Sequence, residues 1–109
     1  MLIRIDARGL RDAASLHGAL GEAFGFAESY GKNLDALVDC LTSLDNPKAA
    51  LSRIQIFPGH MILLALENYD PKDKSAAQVK TLTDVVAFVN WRRLEKGEPP
   101  VLAMAYEAD

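Results

Sequence analysis

The chain has 109 residues, half of them apolar and a quarter charged, with a formal net charge of −3. That is expected for one α/β-sized domain spanning residues 1–109, able to bury a single core without metals or cross-links. A mild acidic balance with no Lys/Arg stripe among aromatics argues against direct nucleic-acid binding, which depends on neutralising phosphates.

Leu2, Ile3 and Ile5 form a short apolar run that ends at Asp6 and Gly9, which predicts a first strand and a turn. Asp12 is placed to cap a helix. Ala13, Leu16, Leu20 and Phe24 then recur at helical spacing until Gly25 offers a stop. Residues 26–32 are a tight connection, with Gly31 just before Asn33, the expected cap of a second helix running to about Thr42.

Asn46 and Pro47 break the chain, and residues 53–57 alternate in the manner of a strand. Pro58 and Gly59 supply a turn. The run 61–66 is almost continuously apolar, as in a strand covered on both faces, and the two segments are expected to pair as an antiparallel hairpin. Asp70 and Pro71 end it, and Ser75 with Gln78 forms a candidate capping box for a long helix. Val79, Leu82, Val86 and Val89 make its buried stripe, with Phe88 and Trp91 expected to pack on the sheet. Trp91 could alternatively rim a patch beside Arg92 and Arg93. Arg92, Arg93 and Lys96 meet the negative end of the helix dipole before Gly97 and Pro99 stop it, and residues 101–106 are a last strand. The order β, α, α, β, β, α, β with helix-linked strands favours a partly parallel sheet.

The start of the chain lacks a basic segment followed by a long apolar one, and no later run approaches the roughly 18 apolar residues of a membrane span. A cytoplasmic protein is expected. The single cysteine, Cys40, has no internal disulfide partner and is expected in the core, as a reducing compartment permits.

The chemistry concentrates in the second helix. At about 100° per residue, Leu34, Leu37, Val38 and Leu41 gather on one side, while Asp35, Asp39 and Thr42 cluster on the other. The two carboxylates at i and i+4 repel by a few tenths of a kcal/mol, and the next position on that row, Ser43, carries no cation to offset them. Asp35 gains from the helix N-terminus; Asp39, one turn further in, gains little. Such a pair is commonly a solvated polar face. It can also be an acidic ridge that enters a cationic cleft, where desolvated charge pairs are far stronger than exposed ones. A Mg²⁺ or Ca²⁺ site needs more oxygen ligands than adjoin these two, so no metal is expected.

No Ser, Cys or Lys stands in the context of an activated nucleophile, and no glycine-rich phosphate loop or Cys/His metal spacing occurs, so neither an enzyme nor a cofactor is expected. His17 is read as a packed structural histidine, and His60 falls in a turn.

The stretch Tyr30-Gly31-Lys32-Asn33-Leu34-Asp35-Ala36-Leu37-Val38-Asp39-Cys40-Leu41-Thr42 resembles the signature helix of the barstar family, intracellular inhibitors of ribonucleases. The resemblance extends upstream through Leu16 and His17 and more loosely from Met61 to the end, with residues 53–60 as an insertion. It implies a small, mostly parallel three-stranded sheet packed with helices, to which the insertion adds an antiparallel edge strand. It also implies that this helix and the loop before it plug a ribonuclease active site, with Asp39 where a substrate phosphate would sit. By the same match Asp35 pairs with basic groups, Asn33 and Thr42 contact the enzyme, and Ser29, Tyr30 and Gly31 lie against it. Ser29, Val38 and Leu44 fall at contact positions where the family has aromatic residues. The late acidic contact of the family has no counterpart, Arg92 or Arg93 lying near its place. This pattern suits a different or weaker target than barnase. The alternative is a binding or immunity module of the same fold directed at a non-ribonuclease toxin or another basic protein.

Overall fold

Three apolar runs of five or six residues are long enough for strands and too short for helices, and turn residues follow the first two. In the computed structural model, which describes residues 1–108, they are β1 (Leu2–Asp6), β2 (Ile62–Glu67) and β3 (Leu102–Tyr106). Between them lie α1 (Ala13–Phe24), α2 (Leu34–Thr42) and α3 (Ala76–Glu95), with a short 3-10 turn at Ala7–Gly9. The strands are all parallel in the order β1-β2-β3, with Leu2 opposite Leu63 and Ile62 opposite Leu102.

Alternation along the strands decides which sheet face is covered. Ile3 and Ile5 of β1, Ile62, Leu64 and Leu66 of β2, and Leu102 of β3 share a core with Leu16, Leu20 and Phe24 of α1, Leu37 and Leu41 of α2, and Val79, Leu82, Val86 and Val89 of α3. Leu2, Arg4, Leu63 and Glu67 belong to the other face. Leu2 and Leu63 are exposed there, and Arg4 Nη1 lies 3.1 Å from Glu67 Oε2. The central strand is therefore covered on one face, not on both, because the helices gather on the same side.

The helix ends follow local chemistry in two of three cases. Asp12 accepts from the Ser15 backbone N–H in a reciprocal capping box, and α1 ends at Gly25 in the left-handed region with φ 66°. A side chain at Gly25 would be strained there and would meet Arg53 at 2.7 Å. Asn33 Oδ1 accepts from the Ala36 N–H at 2.8 Å. Ser75, by contrast, makes no side-chain cap: it sits in the helical rather than the extended region, and its buried hydroxyl donates to Asp73 Oδ2 at 2.7 Å. The expected box with Gln78 does not form.

Residues 53–57 form no strand and no hairpin with β2. The Arg53 and Ile54 N–H groups donate to the Gly25 and Phe24 carbonyls at 2.9 and 3.0 Å, the Ile56 N–H donates to Leu44 O at 3.0 Å, and Ser52 makes an isolated antiparallel bridge to Phe26. Helix C-termini leave carbonyls without internal partners, and this segment supplies donors to those at the end of α1. The insertion is thus a strap across the helix ends, with Ile54 and Ile56 packed on the core. Among the described residues no helix is long and apolar enough to cross a membrane.

Candidate functional site

The loop ahead of α2 is fixed from beneath by an aromatic stack. The Tyr30 ring lies 4.7 Å from that of Phe26 and edge-on to His17 at 5.7 Å, its hydroxyl hydrogen-bonds His17 Nδ1, and its N–H donates to Ala27 O at 2.9 Å. Burial pushes the Tyr30 phenol up to about 12 and the His17 imidazole down, so the pair is a neutral hydrogen bond at physiological pH. His17 is buried, as expected of a structural histidine. Tyr30 thereby holds the loop; Ser29 and Gly31 on either side of it are exposed.

From that anchored loop α2 rises with one face in the core. Leu37, Val38, Cys40 and Leu41 are buried, while Asp35 and Asp39 face solvent. Burial first, and the Asp39 carboxylate second, raise the Cys40 thiol pKa, which keeps it a protonated core residue. Ser29, Tyr30, Gly31, Ala36, Asp39, Cys40 and Leu51 line a cleft of about 140 Å³ between loop, helix and strap. Asp39 therefore stands at the wall of a recess rather than on a flat face.

The structure brings Ser29, Gly31, Asn33, Asp35 and Asp39 to one surface. Tyr30 lines the cleft beside them, whereas Val38 and Leu44 are not brought there. Leu44 is fully buried and Val38 nearly so, both within the hydrophobic core, so these two positions present almost no surface. Thr42 is half-buried, and its hydroxyl donates to the Val38 carbonyl at 2.6 Å, one turn back. The aliphatic side chains at 38 and 44 pack inward, in the same core as Leu37 and Leu41.

Two arginines of α3, expected from the sequence to complement its dipole and to lie near the place of the family's late acidic contact, flank α2. Arg93 is 2% exposed and bidentate to Asp45, with Nη2 2.6 Å from Oδ2 and Nη1 3.0 Å from Oδ1. Its Nη1 also donates to Thr42 O, a carbonyl at the end of α2, and its Nε to Pro99 O, both at 2.7 Å. The guanidinium holds the Asp45 carboxyl below its usual range. A signal existed for this: position 93 continues the buried stripe of Val86 and Val89, where a cation demands a partner. Arg92 lies outside that stripe, with Nη1 3.9 Å from Asp39 Oδ1. The acidic ridge thus has a cation near it, supplied by another helix and invisible in the local i+4 pattern.

Phe88 and Trp91 do not pack on the sheet. They stack on each other at 5.9 Å between centroids and are 47% and 56% exposed, on the side of α3 turned away from its buried stripe. Among the described residues, no group of three or more His, Cys, Asp or Glu side chains is arranged to hold a metal ion.

The family model described as Barstar (barnase inhibitor) matches residues 1–104, a span that takes in α1, α2, α3, the first two strands and most of the third. No curated protein matches the sequence. With nearly its whole length under that match, the chain belongs to the Barstar family.

Proposed function

We propose that this protein inhibits a ribonuclease by placing the acidic face of α2 in the enzyme's phosphate-binding site. The observation that carries the proposal is Asp39: a carboxylate whose side chain is 66% exposed, on a helix fixed by a cap, a core face and a buried arginine, beside a recess. A ribonuclease site is built to bind phosphates. A carboxylate on a rigid support imitates one with little further entropy lost on binding. Asp35, one turn earlier, adds a second negative charge, Ser29 and Gly31 line the recess with Asp39, and Asn33 caps the helix. Tyr30 holds the loop in place. The activity is occupation of another protein's site, without a reaction or cofactor of its own, and its place is the cytoplasm of the cell that makes the enzyme.

Capture of partners from source-cell lysate by the wild type and by Asp35→Ala/Asp39→Ala, followed by RNA-cleavage assays, tests this. A captured ribonuclease silenced by the wild type and left active by the double variant is the expected result. A partner retained equally by both would move the interface off this helix. A second reading, a module of the same fold against a non-ribonuclease toxin, is favoured by one observation: the surface beside Asp39 carries Arg92 and lacks an aromatic at Ser29. Asp39-dependent capture of such a protein would establish it.

A further inference from the structure

We infer that Arg92 makes the binding surface charge-mixed, and that the target carries a carboxylate on the rim of its cationic cleft, opposite Arg92. This rests on Asp39 entering that cleft, as proposed above. The inference comes from the contrast between two adjacent arginines. Arg93 directs its guanidinium into four hydrogen bonds, whereas the Arg92 Nη1 lies 3.9 Å from Asp39 Oδ1, beyond hydrogen-bond reach. The Arg92 guanidinium carbon lies 5.9 Å from the centre of the Phe88 ring, and its side chain is 34% exposed. Arg92 is therefore steadied from one side, accessible from the other, and close enough to Asp39 to share its partner.

Binding changes the surroundings of this pair. When cations of the target surround Asp39, they come within a few ångströms of Arg92 as well, in an interface from which water is leaving. Like charges placed together in that setting strongly disfavour a complex. A cleft that is cationic throughout would thus accept Asp39 and reject Arg92. A target whose cations give way to an Asp or Glu at the rim accepts both, and Phe88 and Trp91, stacked beside Arg92, offer apolar cover around that second ion pair. Arg92 is on this account a specificity determinant: it selects among enzymes with similar phosphate sites by what lies next to the phosphate.

The test uses the ribonuclease that the wild-type chain captures and Asp39→Ala does not, purified, with dissociation constants measured for wild type, Arg92→Gln and Arg92→Glu. Arg92→Glu is expected to weaken binding at least about ten-fold, Arg92→Gln by less, with melting temperatures little changed. Replacing the facing carboxylate of the ribonuclease by Lys should weaken the wild type and restore Arg92→Glu. If Arg92→Glu binds as tightly as the wild type or tighter, the inference is wrong, since an added acid would merely extend the acidic ridge. Asp39 dependence would survive that result, so the two proposals fail separately. Arg92→Gln adds no negative charge beside Asp39 and keeps the test valid if Arg92→Glu folds poorly.

Discussion

The outer face of α2 and the turn just past its C-terminus meet α3 through two acid–arginine pairs that differ in nearly every physical respect. Arg93 is buried and Asp45 mostly so, the pair is bidentate, and the guanidinium is also tied to two backbone carbonyls. Asp39 and Arg92 are solvent-facing and 3.9 Å apart. The first pair has its hydrogen-bonding capacity used within the molecule and fixes where α2 ends. The second keeps its capacity available. The comparison teaches that proximity of opposite charges does not define a role; burial and saturation do.

Variants can break this contrast. Asp45→Ala leaves a guanidinium buried without its carboxylate and should cost about 3–5 kcal/mol of stability, read from urea denaturation. Leu44→Ala should cost about 2–5 kcal/mol by opening a cavity, while the folded fraction binds its target as before, because this position is core. Asp39→Ala should behave oppositely: stability within about 0.5 kcal/mol of wild type. Its affinity for the target should fall by about 2–5 kcal/mol, as when one partner of a buried charge pair is truncated. Asn33→Ala removes the α2 cap and should cost about 1 kcal/mol, the smallest of these effects.

The pH dependence separates the same regions. The Asp45 carboxyl is held below its ordinary value in the folded state, so its contribution is present above the unfolded carboxylate range and lost as pH falls through the folded value. The wild type should therefore lose this increment below about pH 4, and Asp45→Asn should show a flatter acid limb in denaturation measured between neutral pH and that range.

What was legible in the sequence was what is local. Asp12, Gly25 and Asn33 marked helix ends because a cap needs only its own turn, and Val79, Leu82, Val86 and Val89 marked a buried face because helical periodicity is local too. The antiparallel edge strand failed for the opposite reason. The alternation of residues 53–57 records one buried side, and the chain ends of α1 and α2 supply that side instead of a strand. Arg93 continued an apolar stripe and could have been found, but Asp45 as its partner required knowing that α2 and α3 adjoin. Leu44 lies beyond the last turn of α2, so no helical pattern placed it, and only packing sends it inward. The acidic ridge itself was plain from spacing, whereas its neighbouring cation was not.

The most direct measurement is the set of backbone amide shifts that change when the captured ribonuclease is added to the isotope-labelled protein. The account predicts changes concentrated at residues 29–42 with a second group around Arg92, and little at Arg8, Arg11 and Lys74, which line a separate cleft. Changes confined to that other cleft, with α2 unperturbed, would contradict it.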